Sequence, residues 1–392
     1  MPLTLEALPA RHGDCLLLHY GAADEPKLVL IDGGPAQVWN DALKKRLDEL
    51  RAAQALEDHE GLPIRLLMVS HIDDDHIRGI LEMTDLLCER RDDHKPLPYR
   101  IAELWHNSFD DIVGNNADRL HTASMAAVAG AATGGPLPHL KIERHAEAVI
   151  SSVPQGRALR NNALKLSLDT NRPTGGAPLV VPRGRKLAVE LDGGLTLRIL
   201  GPNQQRLEDL QKEWDKILTE KGLDQPDGQA AAAAFVDRSV FNLSSLVVLA
   251  QADGKRVLLT GDARGDDVLA YLREADILGN GTVHFEVLKL PHHGSTRNVA
   301  PEFFERITAD HYVMSGDGRH GNPEIATIEM IREARGDAAY KLYLTYPVDD
   351  FHQDYPKQQL LQLLADITAA NPQASVTHSA RGEAGISIAL RD

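Results

Sequence analysis

The apolar run Ile64-Arg65-Leu66-Leu67-Met68-Val69-Ser70 leads without a break into His71-Ile72-Asp73-Asp74-Asp75-His76-Ile77-Arg78-Gly79. A short apolar run of this kind reads as a buried strand, and the residues from near His76 to about Arg90 read as a helix. A turn at a strand end aims alternate side chains, here 71, 73 and 75, at one point, and the start of the helix adds His76. Imidazole and carboxylate together bind divalent transition metals. The competing reading is a polar helix cap, with Asp73 to Asp75 as N-cap and first-turn acids.

Two later segments repeat the arrangement. Arg256-Val257-Leu258-Leu259-Thr260 ends in Gly261-Asp262, where glycine permits a sharp turn and the carboxylate is placed to bridge two metals. A helix N-cap for the segment beginning near Gly265 is the alternative. Leu288-Lys289-Leu290 passes through Pro291 into His292-His293-Gly294-Ser295. One of the two histidines supplies a ligand and the other a supporting or proton-transferring group; the alternative is a surface turn that happens to hold two histidines. Three apolar strands that each end in ligand-type residues point to one shared site.

The remaining pattern is strand-rich at both ends and alternates helix with strand. Strands are expected at Leu3–Leu8, Asp14–Tyr20, Lys27–Asp32, Tyr99–His106, Leu195–Leu200, His284–Leu290, His311–Ser315, Lys341–Tyr346 and Gly385–Leu390. A hairpin is expected from Leu243–Gln251 and Arg256–Thr260 around Ala252-Asp253-Gly254. Helices are expected at Val38–Glu57, Ala117–Ala132, Ala158–Leu168 and Gln204–Lys221, with a loose segment at Gln225–Ala234. This pattern implies an α/β (α+β) fold with two sheets and helices outside. The chain reads as one domain, 1–392, with a partly helical insertion at about 110–186.

Composition narrows the class. With 43% hydrophobic and 25% charged residues the chain has enough apolar surface for a large core. No apolar run reaches bilayer length, and Met1 to Asp14 lacks a basic segment followed by an apolar one, so no secretory leader is expected. Two cysteines, Cys15 and Cys88, are too few for a disulfide scaffold and fit a reducing cytoplasm. The formal charge of −15 repels polyanions and anionic membranes in general. One stretch reverses that sign: Arg157, Arg160, Lys165, Arg172, Arg183, Arg185 and Lys186 stand against the single acid Asp169. Beside a metal site this stretch would grip phosphates; otherwise it pairs with acidic surface elsewhere.

The ordered segments HGDCLLLHYG, LIDGG, HIDDDHIRG, NLSSLVVLA, LLTGDA and LKLPHHGS resemble the metallo-β-lactamase superfamily. Within it they are most similar to the branch represented by the metallo-β-lactamase-like domain of the competence protein ComEC. They run from about Arg11 to Ser295 in the family order and leave the segment between Asp110 and Arg185 uncovered. The resemblance implies a four-layer αββα sandwich with a helical insertion. It also implies that His71 and Asp73 bind one metal, Asp75 and His76 a second, and that Asp262 bridges them. His292 or His293 completes the second position. Many members use a further histidine between the first motif and the bridging aspartate; His106 in LWHNS fits best, ahead of His121, His139 and His145, although a strand-end histidine with no such role reads the same way. The branch often carries a late Gly-His-Pro. This chain has His320-Gly321-Asn322-Pro323, with Asn322 where that histidine would fall and His320 as a partial substitute. Asp32, in its Asp-Gly-Gly turn, is expected to support the site without touching metal.

Two divalent ions are therefore expected, zinc or manganese, with magnesium or iron competitive because Asp73 replaces the commoner second histidine by a hard oxygen. Such a pair holds a bridging hydroxide and suits in-line attack on a phosphodiester. On this reading Asp75, His293 and His320 are the catalytic groups, and Arg183, Arg185, Ser295 and Asn322 face the substrate. DNA or RNA is the expected substrate and no membrane partner is expected. A hydrolase of a small ester, lactone or cyclic nucleotide is the first alternative, and a non-catalytic binding or regulatory protein of the same fold is the second.

Overall fold

A computed structural model of the chain describes residues 3–57, 59–107, 144–208, 212 and 245–390, with 144–153 described as backbone only. Two large sheets dominate. The first, seven-stranded, has the spatial order β17 (Ile386–Leu390), β1 (Leu3–Ala7), β2 (Leu16–Ala22), β3 (Glu25–Ile31), β5 (Leu66–Met68), β7 (Glu103–Trp105) and β8 (Asp169–Thr170). The second, eight-stranded, runs β16 (Ala374–His378), β15 (Tyr340–Leu344), β14 (Ile307–Met314), β13 (Val283–Lys289), β12 (Lys255–Leu259), β11 (Val247–Ala252), β10 (Leu195–Gly201) and β9 (Leu187–Leu191). A two-stranded ribbon joins β4 (Leu62–Ile64) to β6 (Tyr99–Ile101).

Each sheet changes character part-way across. Strands β17-β1-β2-β3 pair antiparallel, and β3-β5-β7-β8 pair parallel. Likewise β9-β10-β11-β12 are antiparallel and β12-β13-β14-β15-β16 parallel. Parallel neighbours need a crossover. Helices α1 (Lys44–Ala53) and α2 (Asp74–Asp92) supply it in the first sheet, and α3 (Arg144–Leu166) precedes β8. Helices α4 (Gly265–Glu274), α5 (Pro301–Arg306), α6 (Ile325–Arg335) and α7 (Lys357–Ala370) do so in the second.

Burial explains why so many strands read as unbroken apolar runs. In β2, Leu16 and Leu18 pack into a cluster with Val29, Ile31, Leu66, Met68 and Trp105, and this cluster also takes Leu197, Ile199, Val248, Val257, Leu259, Val287 and Val313 from the second sheet. The intervening Leu17 belongs to another cluster, with Leu30, Leu67 and Leu104 against Ile77, Ile80 and Leu87 of α2 and Leu159 of α3. On the second sheet Val247, Leu249 and Leu258 pack with Leu272, Phe303, Ile331 and Leu360 from α4, α5, α6 and α7. Strands covered on both faces have no solvent side to mark with polar residues.

Three expectations need adjustment. The apolar stretches 64–70 and 99–106 do not form single strands: the chain breaks at Arg65 and at Ala102, so that β4 and β6 pair with each other while β5 and β7 enter the first sheet. The helix expected at Ala158–Leu168 is the end of the longer α3, and β8, β9 and β16 are strands that the sequence pattern does not single out. The helix expected at Ala117–Ala132, the segment Gln225–Ala234, most of Gln204–Lys221, and His121 and His139 lie outside the described residues; His145 is described as backbone only. Among the described residues no helix is long and apolar enough to cross a membrane.

What the fold positions is a ring of loops. Asp32, Ser70 and His71, His106, Asp262, and His292 with His293 all follow the carboxyl ends of strands, β3, β5, β7, β12 and β13 respectively. Crevices at such strand ends are where sheets of this kind take ligands.

Candidate metal centre

The first turn of α2 lies directly on the loop after β3. A Cβ on Gly79 would come within 2.1 Å of the Gly33 carbonyl oxygen, so only glycine allows this approach. Gly33 N donates to His76 O at 2.7 Å and locks the two segments together. Asp73 is the N-cap residue of α2 by backbone geometry, yet its side chain makes no capping hydrogen bond. Its carboxylate instead faces His71, with Oδ2 3.5 Å from Nε2. The helix-cap alternative thus accounts for the backbone of Asp73 and not for its side chain. Asp74 turns away and accepts from Gln155 of α3 at 2.7 Å.

Asp262 is the hub. Its side chain is 2% exposed, and the N-cap residue of α4 is Arg264, so Asp262 does not cap that helix. Oδ2 of Asp262 lies 3.7 Å from His71 Nε2 and 3.6 Å from His292 Nε2. Oδ1 lies 3.4 Å from His76 Nε2 and 3.8 Å from His293 Nε2. The two oxygens thus face two different pairs of imidazoles. Asp73 stands beside His71 of the first pair. Asp75 stands beside the second, 3.9 Å from His76 Nε2 and 3.6 Å from His293 Nε2.

Two adjacent histidines in a strand would point to opposite faces. Here both take left-handed backbone, φ +46° at His292 and +56° at His293, which turns both rings toward Asp262. Such conformations are uncommon for residues other than glycine and cluster at functional sites. The His292 amide donates to Gly261 O at 3.1 Å, fastening this loop to that of Asp262. His293 is fully buried, so this is no surface turn.

Three of the four imidazoles are hydrogen-bonded from behind through Nδ1, and the fourth, His293, faces a carboxylate there without a hydrogen bond. His76 Nδ1 donates to Asp32 Oδ2 at 2.9 Å. Asp32 is itself held by the amide of Ser70 and by its hydroxyl, both at 2.7 Å. That hydroxyl lies 3.1 Å from His71 Nδ1 and so accepts from it. Asn298 Oδ1 lies 3.0 Å from His292 Nδ1, and Asp14 Oδ1 lies 3.4 Å from His293 Nδ1. Asp14 belongs to the cluster by distance. Its other oxygen, however, is ion-paired with the buried Lys289 Nζ at 2.7 Å, which places it behind the His293 ring.

Most of the centre's unpartnered atoms face inward, with His293 Nδ1 and the Asp14 carboxylate behind that ring also lacking hydrogen bonds. His71 Nε2, His76 Nε2, His293 Nε2, Asp73 Oδ1 and Asp262 Oδ1 are buried without a hydrogen bond. Orphaned buried nitrogen and oxygen atoms of this number are costly unless something binds them. Several fixed imidazoles and carboxylates that converge at these distances match the donors a divalent ion requires. The cluster of Asp14, His76, Asp262 and His293, with the adjoining His71 and Asp75, could hold metal ions.

Electrostatics point the same way. Burial pushes His76 and His293 down, but the surrounding carboxylates outweigh it. Asp262, Asp32 and Asp75 hold His76 well above its ordinary value. Asp262 and Asp14 lift His293 to about 9. Burial alone would raise Asp262, yet His292, His293, His76 and His71 hold it well below the carboxylate range. His292 moves the other way, lowered chiefly by burial. Protons on buried histidines thus balance the carboxylates where cations would otherwise do so.

The remaining expected residues lie around this centre. His106 is buried at the end of β7, its amide donating to Asn171 Oδ1 at 3.0 Å and its carbonyl accepting from Asn171 Nδ2 at 2.7 Å. Among the described residues, the imidazoles within 4.0 Å of the Asp262 carboxylate are those of 71, 76, 292 and 293, not 106. Ser295 Oγ donates to Glu324 at 3.1 Å, and Asn322 Nδ2 donates to His292 O at 3.3 Å, so both brace the histidine loop. His320 is exposed, with its ring edge-on to that of His12 at 4.7 Å. Much of the basic stretch is matched by acids: Lys165 by Asp92, Arg172 by Glu103, Arg183 by Glu208 and Lys186 by Asp276, while Arg185 is exposed.

Asp14, Ser70, Lys289, Asn298 and His12 carry roles that pattern reading passed over. Lys289 and Asp14 left a trace, since Lys289 is a charged residue inside an apolar run and Asp14 opens one, and a charge is buried only if paired. No protein-family model matches this chain, and no curated protein matches it either. The centre therefore stands on its geometry.

Proposed function

We propose that this chain is a dinuclear metal-dependent hydrolase, built as a four-layer αββα sandwich of the metallo-β-lactamase kind and acting on phosphodiesters of nucleic acid. The observation that carries this reading is the division of Asp262, each of whose oxygens faces its own pair of imidazoles, with Asp73 beside His71 of one pair and Asp75 beside both histidines of the other. His71, Asp73, Asp262 and His292 form one donor set; Asp75, His76, Asp262 and His293 form the other. The clusters packed between and outside the two sheets support the layered reading. The order of motifs supports the likeness to the ComEC branch. Two buried free thiols are compatible with a cytoplasmic setting.

Divalent ions held there would activate water and neutralise charge developing on a phosphoryl group. The chain's own part is to fix the donors. Asp32, Ser70, Asn298 and Asp14 leave each histidine with Nε2 turned inward. Asp75 holds charge beside His76 and His293. His12, which feels the charge of Asp75, and His320, packed edge-on against it, are the candidates to hydrogen-bond the leaving oxygen.

A second reading has an observation of its own. The acid partners of Lys165, Arg172, Arg183 and Lys186 leave less basic surface for a polynucleotide. This favours a small phosphoester, lactone or cyclic nucleotide. The deciding experiment loads metal-free protein with Mn²⁺, Mg²⁺ or Zn²⁺ and offers single- and double-stranded DNA and RNA beside a panel of small esters, with Asp75→Ala and His76→Ala as controls. Cleavage of nucleic acid that both substitutions abolish supports the first reading. Turnover of small esters alone supports the second. Absence of metal uptake rejects both.

A further inference from the structure

The two donor sets around Asp262 are equal in composition, each with two histidines, one carboxylate of its own and the shared one. They differ in what stands behind the histidines. In the set of His76 and His293 both Nδ1 atoms face carboxylates, Asp32 at 2.9 Å and Asp14 at 3.4 Å. In the set of His71 and His292 both face neutral oxygens, the Ser70 hydroxyl at 3.1 Å and the Asn298 amide at 3.0 Å. Exposure separates only one member of each set: the side chain of His292 is 17% exposed and that of His293 1%, while His71 and His76 are both fully buried.

A carboxylate that accepts from the far nitrogen of an imidazole makes the near nitrogen a stronger donor and fixes the ring. A neutral acceptor fixes the ring with less polarisation. We propose that the two positions are unequal by design of their backing residues: a divalent ion binds first and more tightly to Asp75, His76, Asp262 and His293, and the set of His71, Asp73, Asp262 and His292 is the weaker, exchangeable position. Asp14 and Lys289 are then positioning residues for the tight position. Lys289, 1% exposed and within 2.7 Å of Asp14, holds that carboxylate in place behind His293. The inference rests on the two-metal reading above and adds an order of filling to it.

The test is titration of metal-free, full-length protein with Co²⁺, read by its visible absorption and by metal content after desalting. Wild-type protein should show two steps at least tenfold apart, one ion surviving desalting. Asp14→Asn combined with Lys289→Met removes both members of the buried pair, so no lone charge is left in the interior. Loss of an outer partner of this kind typically costs 10–100-fold in metal affinity. The tight step should weaken by that factor while the weak step stays, and melting of the metal-free double variant should remain cooperative. A variant that asks the converse is Asn298→Asp, which puts a carboxylate behind His292 and should tighten the weak step about tenfold. Two equal steps in the wild type, an unchanged tight step in the double variant, or loss of the tight step in His292→Ala would each overturn the inference. Wild-type protein that takes up no Co²⁺ would instead remove the two-metal reading beneath it, and the two failures are distinct.

Discussion

Oδ2 of Asp32 accepts from Nδ1 of His76 at 2.9 Å, and both side chains are buried, with Asp32 on left-handed backbone at φ +57°. The same carboxylate takes the amide and the hydroxyl of Ser70, so it holds His76 directly and His71 through one oxygen. Asp32→Asn keeps the size and an acceptor but loses the charge. Metal affinity should fall about 10–100-fold with little loss of fold stability. Asp32→Ala leaves several buried donors without acceptors, each costing about 1–3 kcal/mol. Chelator competition and thermal melting of the two variants separate these effects, and equal metal affinity in Asp32→Asn and wild type would refute the role.

The metal-free and metal-loaded proteins should respond to pH in opposite ways. His293 is raised to about 9 in the folded chain, above the ordinary 6.5. The stability it contributes is therefore full below about pH 6.5 and is lost as pH rises through about 9. His76 is shifted in the same direction. Asp262, Asp75 and Asp14 are lowered, so their contribution is present above about pH 4 and is lost in acid. Burial lowers His292 and His12, whose contribution is lost as pH falls below about 6.5. The metal-free protein should therefore melt highest near about pH 6.5 and fall toward about pH 9 as His293 and His76 lose their protons. Metal binding requires neutral imidazole and displaces these protons, so metal affinity should rise over the same interval. Melting curves from pH 5.5 to 9, with and without Zn²⁺, test both signs; a metal-free melting temperature that climbs toward pH 9 would contradict the assignment.

Gly79→Ala tests how α2 is seated. The added Cβ would lie 2.1 Å from Gly33 O and 2.8 Å from Gly33 C, which are backbone atoms that cannot swing aside. The helix must shift, at a cost of about 1–3 kcal/mol. Because His76 lies on the same first turns, metal affinity should fall along with stability. A stable Gly79→Ala protein with full metal content would show that the loop after β3 adapts more freely than its hydrogen bonds suggest.

The donor residues were legible because each follows an apolar run, and apolar runs mark strands covered on both faces. Sequence also brought out Asp32, whose glycine-rich turn marks a tight loop. The division of labour between His292 and His293 was not legible. It depends on two consecutive left-handed residues, and nothing in the composition of Pro-His-His-Gly requires them. The pair Asp14–Lys289 joins residues far apart in the chain, and only the folded sheets bring them to 2.7 Å. The breaks at Arg65 and Ala102 escaped for a similar reason: a single residue carries the chain from one sheet to the next without interrupting its apolar character. His106 sits at a strand end as expected, but the side chain of Asn171 clasps its backbone, a long-range contact that no spacing encodes.

His12 offers the sharpest test of how the centre meets its substrate. It follows Arg11 in the loop between β1 and β2, half-buried, with Nδ1 enclosed and without a hydrogen bond among the described residues. Burial lowers its pKa against the pull of Asp75 and Asp317. A neutral imidazole at the rim, edge-on to the exposed His320, can give or take a proton near pH 7. Asn322 has no such freedom, because its amide is spent on His292 O. His12→Ala should therefore lower kcat/KM for bis(4-nitrophenyl) phosphate by about 10²-fold, in the range of a lost proton acceptor or hydrogen-bond donor, and leave metal content unchanged. His320→Ala should have a smaller effect, since solvent replaces an exposed donor. Metal analysis beside the kinetics makes the result decisive: full activity in His12→Ala with normal metal content would reduce His12 to a packing partner of His320, and lost metal would make it part of the support for Asp75.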